Sequence, residues 1–287
     1  MNVDHVKETK RWMFSLSDQD RIDRILKHFW VSYPQAESII LIIRNMIAAR
    51  GRVQAPCLMV SGDSGSGKSS LANHIKDVSK DWNMKIAFMS CVERSDGLKF
   101  KESVVSALGA PTVPGRSARQ GYPGELEKYI RITGVRALII DEFHDAMLVQ
   151  KSDQTKNLSF LKGLTGEPFM LTIIALGTPL AVNALKIDDQ LFRRFDFIHL
   201  QSWEENEVFR SFLAAIEENL PLKKPSGLYQ KDIVKYLLSE SKGNTASLLD
   251  IVRFGAIQAV KSGEERITVD LLKTGRSMRW MYGTALG

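Results

Sequence analysis

Two hydrophobic patterns divide this chain. Short apolar runs, Cys57–Val60, Ile86–Met89, Ala137–Ile140, Met170–Leu176 and Phe197–Leu200, alternate with stretches of helical spacing. Apart from the last, these runs are nearly continuous, as strands are when helices cover both faces of a parallel sheet. They predict a doubly wound α/β domain, a parallel five-stranded sheet flanked by helices, with ligands at the carboxyl ends of the strands. Upstream, Ile22, Ile25, Leu26 and Phe29 fall at helical spacing and predict a short helix over Asp18–Phe29. Pro34 ends that element and opens another that runs to about Ala49, with Ile39, Ile40, Ile43, Met46 and Ile47 on its buried face.

After Trp203 no strand candidate appears. Glu204–Leu220, Gln230–Ser241, Ala246–Lys261 and Thr268–Arg276 read as helices, separated by Pro221, Pro225, Gly227, Gly243 and Gly263. The expected organisation is an N-terminal arm and helix over 1–50 that pack on the core, an α/β core over 51–202, a small all-helical lid over 203–276 and a tail over 277–287. The arm reads equally as a contact for a neighbouring subunit and as a simple cover for the core. The tail segment Ser277–Tyr282, basic and aromatic, reads as a docking peptide or a frayed end.

Composition narrows the picture modestly. With 287 residues, 44% of them hydrophobic, the chain can bury one large core or two smaller ones. A formal net charge of +6 mildly favours a polyanionic partner without requiring one. The two cysteines, Cys57 and Cys91, lie at or near buried strands without metal-ligand spacing, and read as inert thiols in a reducing compartment. No signal peptide is visible, and the most apolar early stretch, Ile39–Ile43, is broken by Arg44 and is too short to span a bilayer. A soluble, cytoplasmic protein with no membrane partner is expected.

The chemistry starts between the first strand and the helix that follows it. Gly62-Asp63-Ser64-Gly65-Ser66-Gly67-Lys68-Ser69 fits the phosphate-binding loop, and Ser70–Ile75 continues it as a helix. Glycines let backbone N–H groups turn inward around phosphate oxygens, and the helix N-terminus adds partial positive charge. Lys68 would reach the β- and γ-phosphates, and Ser69 would help hold Mg2+. The next strand to matter ends in Asp141 and Glu142. Asp141 is placed to hold the Mg2+ water shell, and Glu142 to orient and deprotonate an attacking water. Two acids after a strand also fit a solvated strand end, and His144 reads as a structural hydrogen-bonding residue more readily than as a catalytic one. Thr178, after the Met170–Leu176 run, would lie between the acidic strand and the loop, where it could sense the γ-phosphate or cap the next helix. Arg193 and Arg194 precede the final strand as donors suited to phosphate, or as an exposed basic turn. Lys99, Lys101, Arg116 and Arg119 form a basic segment that is simply solvated or, in a ring of the kind that the resemblance given next implies, would face the pore and track DNA phosphates.

Taken in order, these pieces resemble an AAA+ P-loop ATPase, and more narrowly the transposition ATP-binding proteins of the TniB/TnsC group. The resemblance rests on Gly62–Ser69, Leu138–His144, Ala175–Thr178, Asp189–Phe195, Glu218–Leu228 and Gly263–Thr268, within roughly residues 30–270. It implies Lys68 and Ser69 as the Walker A pair, Asp141 and Glu142 as Walker B, Thr178 as sensor 1, and Arg194 as a finger acting on a neighbour's ATP. Arg193 stands where the family usually has a small residue and is a possible second finger. It also implies hydrolysis of ATP to ADP and phosphate, assembly with ATP into rings or filaments on double-stranded DNA, and recruitment of a transposase and a target-selection protein. Disassembly would follow hydrolysis. One departure is visible: no arginine follows Gly243 in Lys242–Leu248, where many lids place a sensor. Within AAA+ proteins a helicase loader or replication initiator shares every core motif. A nucleotide-gated adaptor that does not hydrolyse ATP is a third reading, opposed by the intact Glu142.

Overall fold

The computed structural model describes residues 4–49, 51–91, 97–110 and 124–279, and the chain divides into two compact units. One unit combines residues 1–34 with 202–287; the other is 35–201. The arm assigned by sequence to 1–50 is therefore split. Its first part contributes Val6, Met13, Ile22, Ile25 and Val31 as buried residues of the helical unit, while its long helix belongs with the α/β unit.

The first part comprises a 3-10 helix over Glu8–Ser15 and α1 over Asp18–Leu26, which Ser17 caps by accepting from the Asp20 N–H. The α/β unit then runs α2 (Pro34–Ala48), β1 (Cys57–Gly62), α3 (Lys68–Val78), β2 (Lys85–Ser90), α4 (Gly97–Ala107), α5 (Gly124–Thr133), β3 (Val135–Asp141), α6 (Phe143–Met147), α7 (Lys151–Thr165), β4 (Thr172–Gly177), α8 (Pro179–Leu185), α9 (Asp189–Phe192) and β5 (Phe195–Leu200). All strand pairs are parallel, in the order β2-β3-β4-β1-β5. The three inner strands carry the most continuous apolar runs, since both their faces are covered. On one face Met59, Leu138, Ile140, Ile173 and Ala175 join a core with residues of α4, α6, α7 and α8. Their alternates Leu58, Val60, Ile139 and Ile174 are also buried, and α3 packs against β1, β3 and β4. The edge strand β5 leaves Asp196, Phe197 and His199 exposed, and its apolar run is accordingly interrupted by polar residues.

The helical unit is completed by α10 (Glu207–Glu217), α11 (Lys231–Ser241), α12 (Thr245–Lys261) and α13 (Val269–Ser277), close to the four expected segments. Asn206, Asn244 and Thr268 cap α10, α12 and α13 through their side chains. No strand occurs among its described residues, and no helix of the described chain is long and apolar enough to cross a membrane.

Candidate functional site

The strand order brings the sequence-predicted residues to one edge. β4 lies between β1 and β3, so the segment after β4 falls between the glycine loop after β1 and the acidic pair after β3. Register fixes this: Ser61 pairs with Gly177, and Ile140 with Ala175.

Gly62 closes β1, and a Cβ there would stand 2.6 Å from Ser66 Oγ and 3.1 Å from Leu200 Cβ. Gly65 and Gly67 adopt φ of 77° and 98°, left-handed conformations that favour glycine and turn successive N–H groups toward a common centre. Gly67 is the N-cap of α3 and offers no side chain, so the first N–H groups of that helix have no intrahelical acceptor. Asp63 and Ser69 are exposed, while Lys68 is only 5% exposed. The Lys68 ammonium donates to the carbonyls of Gly62 (2.8 Å) and Asp63 (2.7 Å) and, at 3.4 Å, to Ser66 Oγ. Burial lowers its pKa, against the opposing charges of Glu142, Asp141 and Asp63.

Asp141 ends β3 opposite Ser90, and its Oδ1 accepts from the Glu142 N–H at 2.9 Å. Glu142 then turns the chain with φ 52° and ψ 37°, unusual for a residue with a side chain. The short helix α6 that follows is held from outside: Asn157 and Gln154 of α7 donate to the carbonyls of Ala146 (2.8 Å) and Met147 (2.9 Å). Phe143, Ala146 and Met147 are buried beneath it. His144, read from sequence as a structural hydrogen bonder more readily than a catalytic group, lies beside Glu142. Its Nδ1 is 3.2 Å from Glu142 Oε2, within ion-pair range, yet buried and without an aligned hydrogen bond.

Thr178 is the N-cap of α8, and its side chain makes no capping hydrogen bond. Its Oγ1 is buried and has no hydrogen-bond partner among the described residues. Capping, one of the two roles open from sequence, is not the role it plays here. Gly177 explains the tight approach of β4 to α6, since a Cβ there would stand 3.2 Å from the His144 backbone nitrogen.

The arginine pair separates. Arg194, the expected finger, has its Nη1 bonded to the Lys162 carbonyl (3.0 Å) and to Thr165 Oγ1, at the carboxyl end of α7. The cause is local: those last carbonyls lack helical donors, and a guanidinium both satisfies them and meets the negative end of the helix dipole. Asp188 ties the same segment down by accepting from Lys162 Nζ (2.7 Å) and capping α9 through the Leu191 N–H (2.9 Å). Arg193 is the exposed member. Among the basic residues expected to meet DNA, Lys99 on α4 is exposed, whereas the Lys101 ammonium is half-buried 5.5 Å above the Phe160 ring, and burial lowers its pKa. Arg116 and Arg119 lie outside the described residues, as does the end of the basic, aromatic tail.

No cluster of three or more His, Cys, Asp or Glu side chains suited to a metal occurs among the described residues. A Mg2+ shared by one hydroxyl, one carboxylate, phosphates and water needs none.

A profile of the family described as TniB, bacterial TniB protein, matches residues 21–205. No curated protein matches the chain in sequence. Among solved structures, Cdc6p from Pyrobaculum aerophilum is similar with a TM-score of 0.67 at 13% identity, covering 91% of this chain and 71% of that one. The Aeropyrum pernix ORC1 protein, solved in complex with DNA, is similar with a TM-score of 0.61 at 15% identity, covering 89% and 68%. The Thermotoga maritima RuvB branch migration motor gives 0.51 at 13% identity, covering 85% and 68%. At these identities the likeness is one of fold, and that fold is AAA+.

Proposed function

This chain belongs to the TniB family, and from that premise we propose that it is an ATPase that assembles on double-stranded DNA and regulates transposition. The observation that carries the hydrolytic part is the unpartnered Thr178 hydroxyl, buried between the glycine loop and the acidic pair. A buried hydroxyl without a partner costs free energy unless a ligand atom satisfies it. A γ-phosphate oxygen at that strand edge is a fitting acceptor.

Each residue then has a task. Gly62, Asp63, Ser64, Gly65, Ser66, Gly67 and Ser70 shape the cradle, with the first N–H groups of α3 donating to phosphate oxygens. Lys68 exchanges loop carbonyls for the more strongly charged phosphate acceptors. Ser69 and Asp141, both oxygen donors, would hold Mg2+, which when bound neutralises phosphate charge. Glu142 takes the proton of the attacking water. Arg193, exposed at the end of α9, is better placed than Arg194 to reach a neighbouring copy's phosphates. The products are ADP and phosphate.

In this reading ATP binding favours a ring or helical filament around DNA, which recruits a transposase and a target-selection protein, and hydrolysis releases it. The positive net charge of +6 and the exposed Lys99 support contact with a phosphate backbone. Electron microscopy with duplex DNA and a non-hydrolysable ATP analogue is the test. Ordered rings or filaments along DNA are expected; monomers unchanged by DNA and nucleotide would overturn the proposal.

A further inference from the structure

We propose that His144 is the positioning residue of Glu142, its Nδ1–H holding one carboxylate oxygen so that the other faces the attacking water. The inference rests on the hydrolytic reading above and adds a residue to it.

Three observations carry it. First, Glu142 occupies a left-handed turn, with φ 52°, directly after β3. Backbone strain of this kind persists only where the surroundings fix it, and here it brings the side chains of Glu142 and His144 to the same side. Second, Nδ1 and Oε2 are 3.2 Å apart, while Nδ1 is buried and makes no hydrogen bond with any other described group. The imidazole's other nitrogen, Nε2, is 3.9 Å from Asp145 Oδ1. A small rotation of either side chain aligns the first pair, and no competing acceptor for Nδ1 is in place. Third, the two partners differ in how firmly they are held. The His144 backbone is wedged against Gly177 of β4, its carbonyl accepts from Leu148 N–H at 2.8 Å, and α6 is clamped by Asn157 and Gln154. The Glu142 side chain, by contrast, is 38% exposed against 20% for His144. An exposed carboxylate samples several rotamers in water, and a general base must lie within hydrogen-bond reach of the proton it takes. An imidazole carried on a backbone held in this way, once bonded to one carboxylate oxygen, restricts that freedom. Because His144 abuts the strand that delivers Thr178, the base and the expected phosphate-sensing hydroxyl are set on one rigid corner of the sheet.

The test is a split of kcat from KM and from nucleotide affinity in His144→Ala, His144→Asn and His144→Gln, with Glu142→Gln as reference. An asparagine amide nitrogen, like Nδ1, is attached to Cγ, whereas a glutamine amide reaches one atom further. His144→Ala is expected to lower kcat roughly ten- to a hundredfold with KM and analogue affinity within about twofold, since misplacement of a reacting group affects turnover rather than binding. His144→Asn should recover most of the rate and His144→Gln should not. A His144→Ala enzyme that turns over like wild type overturns the proposal, as does equal behaviour of the two amides. Melting temperatures accompany each variant, and if the alanine variant unfolds, the comparison of the two amides decides alone. If wild type and Glu142→Gln hydrolyse ATP at the same rate, the hydrolytic reading itself fails, which is a different result from a failure at His144.

Discussion

At Arg193 and Arg194 adjacent residues of one type do different physical work. The Arg194 guanidinium is bound through Nη1 to the end of α7, so its charge is committed to the fold. Replacing it by alanine leaves the Lys162 carbonyl and the Thr165 hydroxyl without that donor. Arg194→Ala is expected to cost about 1–3 kcal/mol, read by urea or thermal unfolding. Arg193→Ala should leave unfolding unchanged and lower hydrolysis only under conditions where the protein assembles. The reverse pattern would return the finger to Arg194. Sequence could name the pair as phosphate-seeking donors, but could not tell which side chain the α7 terminus would claim. The partners Lys162 and Thr165 lie some thirty positions upstream. Lys99 and Lys101 divide in the same way, one exposed and the other folded over Phe160.

Among the elements, α12 and α13 of the helical unit pack backbone against backbone. A Cβ on Gly275 would stand 2.5 Å from the carbonyl carbon of Phe254 and 2.7 Å from the nitrogen of Gly255, both backbone atoms that cannot swing aside. Gly275→Ala should therefore destabilise by about 1–3 kcal/mol or more, as overpacking does, and a melting curve would show it. An unchanged melting temperature would mean the helices can part at no cost. The loop over 220–228, one of the stretches on which the family resemblance rests, has an equally plain structural basis. Leu220, Leu222 and Leu228 are buried anchors, and the Glu217 carboxylate accepts from the N–H groups of Ser226 (2.6 Å), Gly227 (3.1 Å) and Leu228 (2.9 Å). Ser226 Oγ in turn accepts from Ile267 N–H at 2.9 Å. In this chain the segment's marked residues hold the loop's fold. Helix and strand positions were readable because amphipathic periodicity and unbroken apolar runs are local properties.

For the molecule as a whole, the first thirty-four residues are part of the helical unit. Arg21, 1% exposed, binds Glu265 through both guanidinium nitrogens (2.8 and 2.6 Å) and also donates to the Pro221 carbonyl (2.9 Å). Burial by itself would push the Glu265 carboxyl up. The bonds from Arg21 and from Lys223 outweigh it and hold the pKa at about 2, below the ordinary 4.5. A carboxyl depressed in the folded state stabilises fully above its unfolded value and loses that contribution as pH falls through the folded one. Stability of the helical unit from this source should thus be constant above pH 4.5 and fall between pH 4.5 and about 2. Arg21→Ala, which leaves a buried carboxylate poorly paired, should destabilise at neutral pH by about 3–5 kcal/mol and blunt that acid limb. Urea unfolding followed by tryptophan fluorescence across this range measures both. An acid limb identical in the variant would show that another group titrates.

The sequence by itself determined the approximate places of the strands, the helices after Trp203, and where the glycine loop and the acidic pair fall along the chain, because each depends on residues close together in sequence. It also implied that Thr178 would lie between loop and acids, since parallel α/β units deliver strand ends to one edge. Only the tertiary structure decided that the arm packs with residues more than two hundred positions away, as Arg21 does with Glu265. It also decided that Arg194 is bound and Arg193 exposed, that the Thr178 hydroxyl is unpartnered, and that His144 lies against Glu142. Hydrogen bonds and burial at these residues depend on which remote surfaces meet, and hydrophobic periodicity carries no information about that.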